Sequence, residues 1–117
     1  MSRDPQAPPP LDPASGPFTL ASGGSGRLLA QGPLTFASAR RARAAGLEAI
    51  EAVPRDGALL IDCQGITASD SAGLAVLLDW LAAARAQGRS LRLAHLPQGL
   101  AALGRISEVN ELLERGV

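Results

Sequence analysis

Asp62, Cys63, Asp70, Ser71 and His95 are the residues of this chain whose types could do chemistry. Four of them fall in one stretch, where the apolar run Leu59-Leu60-Ile61 meets Asp62-Cys63 and the turn Asp70-Ser71-Ala72-Gly73 follows. A nucleophilic Ser71 needs a general base, and His95 is the one imidazole in the sequence. Asp62 and Asp70 could divide acid and base roles if the fold brought them face to face. Nothing else in the sequence suggests a cleft around them. Packing is the simpler expectation for His95, at a strand end. Cys63 reads as a small core residue, because no cation is placed near it to activate a thiol. Metal and cofactor sites are expected to be absent, and no catalytic residue is assigned.

The Asp-Ser-Ala-Gly turn has a structural reading of its own. Asp70 precedes a run of leucines at helical spacing, so its carboxylate can accept from the first free amides and suits the positive end of the helix dipole. Ser71 can cap in the same way through its hydroxyl. Gly73 lets the first helical turn approach another backbone closely. Capping and a functional surface both account for these residues on local physics alone.

Composition narrows the function classes. The 117 residues suit one compact domain. Eleven basic and eleven acidic residues cancel, and every basic residue other than the histidine is an arginine. A nucleic-acid binder needs a surplus of cations and favours aromatic platforms; here net charge is zero and only two Phe and one Trp are present. No stretch reaches the ~20 apolar residues of a membrane span. One cysteine gives no sign of an oxidising compartment. A cytoplasmic protein is expected, with any membrane association made through a complex. The first 16 residues, rich in proline and small polar residues and lacking a signal-peptide core, read as a flexible tail before a domain spanning 17–117.

The elements that must position the turn follow from periodicity and punctuation. Short strands at 17–21 and 27–31 flank the Gly23-Gly24-Ser25-Gly26 cluster and predict a hairpin. A phosphate loop is excluded there, since no Lys-Ser or Lys-Thr follows. Thr35, with Ser38 as its rival, starts a helix through Ala52 whose inner side carries Phe36, Ala39, Leu47 and Ile50, with Arg43 snorkelling. The apolar run 58–63 predicts a buried central strand, and 64–69 a loop with a short extended piece at Ile66. A helix over 71–87 stops at Gly88, a strand occupies 90–95, and helices follow over 97–103 and 108–115. The fold class is therefore α/β: a small mixed β-sheet with an N-terminal hairpin and packed α-helices.

The order apolar strand, Asp62, loop, Asp70-Ser71-Ala72-Gly73-Leu74, helix resembles the STAS domain family, over about residues 17–113. That family includes anti-sigma-factor antagonists and the MlaB subunit of a bacterial phospholipid-transport ABC complex. Asp70-Ser-Ala-Gly-Leu-Ala-Val-Leu-Leu-Asp is especially similar to the MlaB-type helix start. The resemblance implies a non-catalytic protein that binds a partner. In the antagonists a phosphorylatable Ser or Thr commonly stands two residues after the aspartate, where this chain has Ala72. Ser71 matches a Ser/Thr position that MlaB-like members also keep, and it is the residue left for any phosphorylation. The departure at Ala72 favours an ABC-transporter ATPase as partner over an anti-sigma factor or kinase.

On the helix, Leu74, Leu77, Leu78 and Leu81 share a stripe that should face the sheet, while Val76 and Trp80 lie about 100° or more away. Trp80 either packs on a neighbouring helix or anchors a partner. The expected partner-binding set is Asp70, Ser71, Ala72, Gly73, Val76, Asp79 and Trp80.

Overall fold

The computed structural model describes residues 17–117, so the proline-rich segment 1–16 lies outside the described residues. Strands β1 (Thr19–Ser22) and β2 (Arg27–Leu34) form the expected antiparallel hairpin, Leu20 opposite Ala30. The glycine cluster closes it: the Gly23 amide donates to the Arg27 carbonyl at 2.9 Å. Helix α1 (Ala39–Ala52) returns the chain to β3 (Ala58–Ser69), which pairs parallel with β2, and α2 (Ser71–Ala86) returns it to β4 (Ser90–Ala94), parallel with β3. The sheet order is β1-β2-β3-β4, mixed as the sequence predicts. Helices α3 (Gln98–Ile106) and α4 (Asn110–Arg115) follow, and Val117 exchanges hydrogen bonds of 3.0 and 3.2 Å with Leu91.

Two strands run further than their sequences suggest. Residues 64–69 are not a loop: β3 continues through them because β2 also continues to Leu34, and the two extensions pair, Gln31 with Gly65 and Leu34 with Ser69. The register shifts twice, between Leu29 and Gln31 at the start of this segment and between Gly32 and Leu34 within it; the second shift falls at Pro33, whose ring has no amide to give to a ladder. Alternation along β3 puts Leu59, Ile61 and Cys63 on the core face, all buried, and Leu60, Asp62 and Gln64 on the other.

Helix α2 is nearly apolar all round because it is buried on two sides. Leu74, Leu77 and Leu81 are in the core, as the stripe predicts, and Leu78 is half-buried against it. Trp80 (0% exposed) and Val76 (3%) are in it as well, so neither is on a partner-facing strip. Their angular offset from the leucine stripe reflects α1 packing beside α2, not an outward face. Gly46 of α1 makes the room: a Cβ there would run into the Trp80 indole, whose Nε1–H donates to the Arg43 carbonyl at 3.3 Å. Phe18, just before β1, completes the pocket with its ring centroid 6.3 Å from that of Trp80.

Candidate functional site

The start of α2 lies at the far end of β3, and three segments meet there: the end of β2, the turn before α1, and residues 70–73. Asp70 is the N-cap, as expected, and its Oδ1 accepts from the Gly73 amide at 3.1 Å. Its second oxygen does something the sequence does not announce. Oδ2 accepts from the Phe36 amide at 3.0 Å and so ties the β2–α1 turn to α2. The Phe36 amide, more than any other contact, holds the Asp70 carboxyl below its ordinary range; burial opposes this, and the Gly73 and Ala72 amides add to it. Asp70 is therefore a charged staple across the site.

Gly73 is buried and required by a close approach: a Cβ would collide with the carbonyl oxygen of Leu34. That contact fixes the first turn of α2 against β2, and with it Ser71, which is exposed, and Ala72, which is half-buried. Asp79 is exposed two turns on and receives the Arg43 guanidinium at 3.0 Å, a surface pair that joins α1 to α2. Arg43 thus reaches along the helix pair rather than into the core. Of the expected set, the structure brings Asp70, Ser71 and Ala72 to the surface at the helix start and Asp79 to the same helix's exposed side. It places Gly73, Val76 and Trp80 beneath them.

Phe36 is the residue that sequence reasoning misplaced. It was expected on the inner side of α1, yet its side chain is 83% exposed. The helix begins at Ala39, after Ser38, and residues 35–38 form a separate turn. Ser38 pins that turn: its Oγ accepts from the Thr35 amide at 3.0 Å and donates to the Pro33 carbonyl at 2.7 Å, while its own amide donates to the Thr35 carbonyl at 3.0 Å. The signal was Ser38 itself, since a helix that starts after it leaves Phe36 outside the periodic segment.

The catalytic alternatives fail on geometry. Asp62 is 5% exposed on the face of the sheet away from Cys63. Its Oδ2 accepts from Arg27 Nη2 at 2.7 Å, and its Oδ1 lies 2.9 Å from the Gln64 amide and 3.2 Å from His95 Nδ1. The Gln64 amide, with Arg27 and His95, holds this carboxyl below its ordinary range against the opposing effect of burial. Seven residues of strand separate Asp62 from Ser69, roughly 23 Å at about 3.3 Å per residue. Asp62 and Asp70 therefore cannot share a proton, and His95, engaged with Asp62, is no base for Ser71. Cys63 is fully buried, and desolvation, with the Asp62 charge, pushes its thiol up to about 12. Among the described residues no helix is long and apolar enough to cross a membrane.

Comparison with known proteins agrees with this architecture. No curated protein matches the chain. Among solved structures, the anti-sigma factor antagonist SpoIIAA in its unphosphorylated form is similar in fold, with a TM-score of 0.57 at 15% identity over 76% of this chain and 82% of that one. The family described as "Mlab, STAS domain" matches residues 19–114, from the first residue of β1 almost to the end of α4. A match of that extent, on a four-stranded mixed sheet with Asp70-Ser71-Ala72-Gly73 at the head of α2, makes this chain a member of the MlaB-type STAS domain family.

Proposed function

We propose that this protein is a non-catalytic subunit that binds, through the start of α2, the ATPase of an MlaB-type phospholipid-transport ABC complex, and that it stabilises or regulates that ATPase. STAS domains act through protein partners, and the family matched here is the MlaB type. The observation that carries the reading is the combination at 70–72. Ser71 stands exposed on a helix start held by Asp70, while Ala72 removes the hydroxyl that an antagonist's kinase would need. Asp70, Ser71 and Ala72 are the contact residues, Asp79 extends the surface along α2, and Gly73, Val76 and Trp80 support it from within.

A partner-switching regulator of an anti-sigma factor or kinase is the second reading, favoured by the exposure of the Ser71 hydroxyl. Phosphate on Ser71 would set a dianion beside the Asp70 carboxylate and disfavour any partner seated there. Co-purification of the tagged full chain from its own cells, with the retained proteins identified by mass spectrometry, separates the two. The ATPase and its permease are expected. Retention of an anti-sigma factor in their place, with stoichiometric phospho-Ser71 in the unbound pool, would establish the second reading.

A further inference from the structure

Phe36 has no role in the folded chain that its position explains. At 83% exposure it is the most exposed large apolar side chain among the described residues. Its backbone is nevertheless held at both ends, by the Asp70 carboxylate on the Phe36 amide and by Ser38 across the turn. Four hydrogen bonds hold the backbone of the turn that carries this aromatic ring, beside the surface proposed for a partner. Fixing an anchor before binding removes the ordering cost that a flexible loop would meet on association. Aromatic side chains, phenylalanine among them, are enriched at the buried centres of protein interfaces.

The charges around Phe36 are also unexplained by the fold. Arg40 and Arg41 occupy the first turn of α1, where the helix dipole disfavours cations and where no acidic residue stands. Both are exposed, and neither has an acidic partner among the described residues, whereas Arg43 is paired with Asp79. Arg41 shares with Thr35, Ala37, Ser38, Pro33 and Phe18 a shallow depression of about 230 Å³ beside the turn. From exposure, pinning and charge together, we infer that Phe36 is the anchor of the interface and inserts into an apolar pocket on the protein partner, a pocket rimmed by acidic side chains that meet Arg40 and Arg41. The inference rests on the proposed function for the partner's identity but not for the anchor's chemistry. A single ring on a fixed turn suits a pocket, whereas a bilayer surface would call for a broader apolar face.

Two measurements test it. In the first, the purified full chain is titrated with the purified ATPase. Phe36→Ala is expected to weaken binding at least about 30-fold, the equivalent of a ~2 kcal/mol hot spot, with an unchanged melting curve, and Phe36→Leu to recover part of the loss. Arg40→Gln with Arg41→Gln should weaken it further and flatten its salt dependence. Wild-type affinity in Phe36→Ala would overturn the anchor and leave the proposed function standing. In the second, p-benzoylphenylalanine replaces Phe36 in the native cell, with the same probe in place of Glu114 as control. Should the wild-type chain fail to bind the ATPase, the proposed function falls. The anchor still stands if the probe at 36, and not at 114, couples to one identified protein whose purified form loses affinity for Phe36→Ala. Coupling only to a second copy, to lipid, or to nothing would overturn it, as would Phe36-dependent binding to vesicles of anionic phospholipid.

Discussion

Replacing Trp80 by alanine separates the core from the surface of α2. The indole is fully buried between α1, α2 and Phe18, and the space it fills is matched on the other side by the missing side chain of Gly46. Truncating a buried tryptophan costs about 3–5 kcal/mol, because lost burial and the cavity left behind add. The lost Nε1–H···O contact to Arg43 adds little, since a carbonyl within a helix keeps its intrahelical partner. At roughly 4–8 °C per kcal/mol for a domain of this size, the melting temperature should fall by more than about 12 °C. Far-UV circular dichroism, followed through a thermal melt and a guanidinium titration, is the assay, since the substitution removes the chain's one tryptophan. Asp79→Ala, one residue away and exposed, is the control: it loses only a surface ion pair and should shift stability by under ~1 kcal/mol. A Trp80→Ala loss as small as that of Asp79→Ala would show that Trp80 is not core in solution and would return it to the partner-facing set.

Gly73→Ala should destabilise by about 1–3 kcal/mol, read from the same titration, because the added methyl meets the Leu34 backbone oxygen and not a movable side chain. Asp70→Ala should cost about 0.5–2 kcal/mol as a lost cap and, unlike an ordinary cap, loosen the Phe36 turn, seen as faster amide exchange at Phe36. The folded-state carboxyls of Asp62 and Asp70 are both held below their ordinary range, so their stabilisation is complete at pH above the unfolded carboxylate value and is lost as pH falls through the depressed folded one. An acid titration of stability should therefore lose part of its slope below pH ~4 in Asp70→Asn; an unchanged slope would refute the assignment. Cys63 should resist alkylation by iodoacetamide at pH 8 in the native state and react on unfolding, since burial keeps its thiol protonated.

The parts of the fold that were legible in the sequence are those set by local signals. The apolar run before Asp62 reads as a central strand because Leu59 and Ile61 are buried on one face and Leu60 is half-buried on the other, and α2 is bounded by Asp70 and by Gly88, whose φ of 70° lies in the left-handed region. The illegible parts are set by contacts distant in sequence. Residues 64–69 carry too many polar and small side chains to read as strand, and they become one only by pairing with the end of β2. Trp80 lies off the leucine stripe of α2, and periodicity cannot tell a second helix packed on that side from solvent. The Asp62 contacts with Arg27 and His95 span 35 and 33 residues, so the aspartate's role as a buried charge on the sheet face away from Cys63 had no local signature. At the candidate site, the cap made by Asp70 was readable three residues ahead at Gly73, but its bond to Phe36 spans 34 residues. Placing the helix start at Thr35 instead of Ser38 then hid the exposed ring.

The claim that the start of α2 is a partner surface on a fold that does not depend on it is tested most directly by Ser71→Glu. Ser71 is exposed and Asp70 alone caps the helix, so the substitution should leave the melting temperature near that of wild type. A carboxylate buried without a partner at the centre of an interface costs more than ~2 kcal/mol, or over 30-fold in affinity. Calorimetric titration of the purified ATPase into wild-type and Ser71→Glu protein should show a dissociation constant at least about 30-fold higher for the second. Equal affinities would contradict the account: Asp70-Ser71-Ala72-Gly73 would then be a helix cap only, and the partner would bind elsewhere.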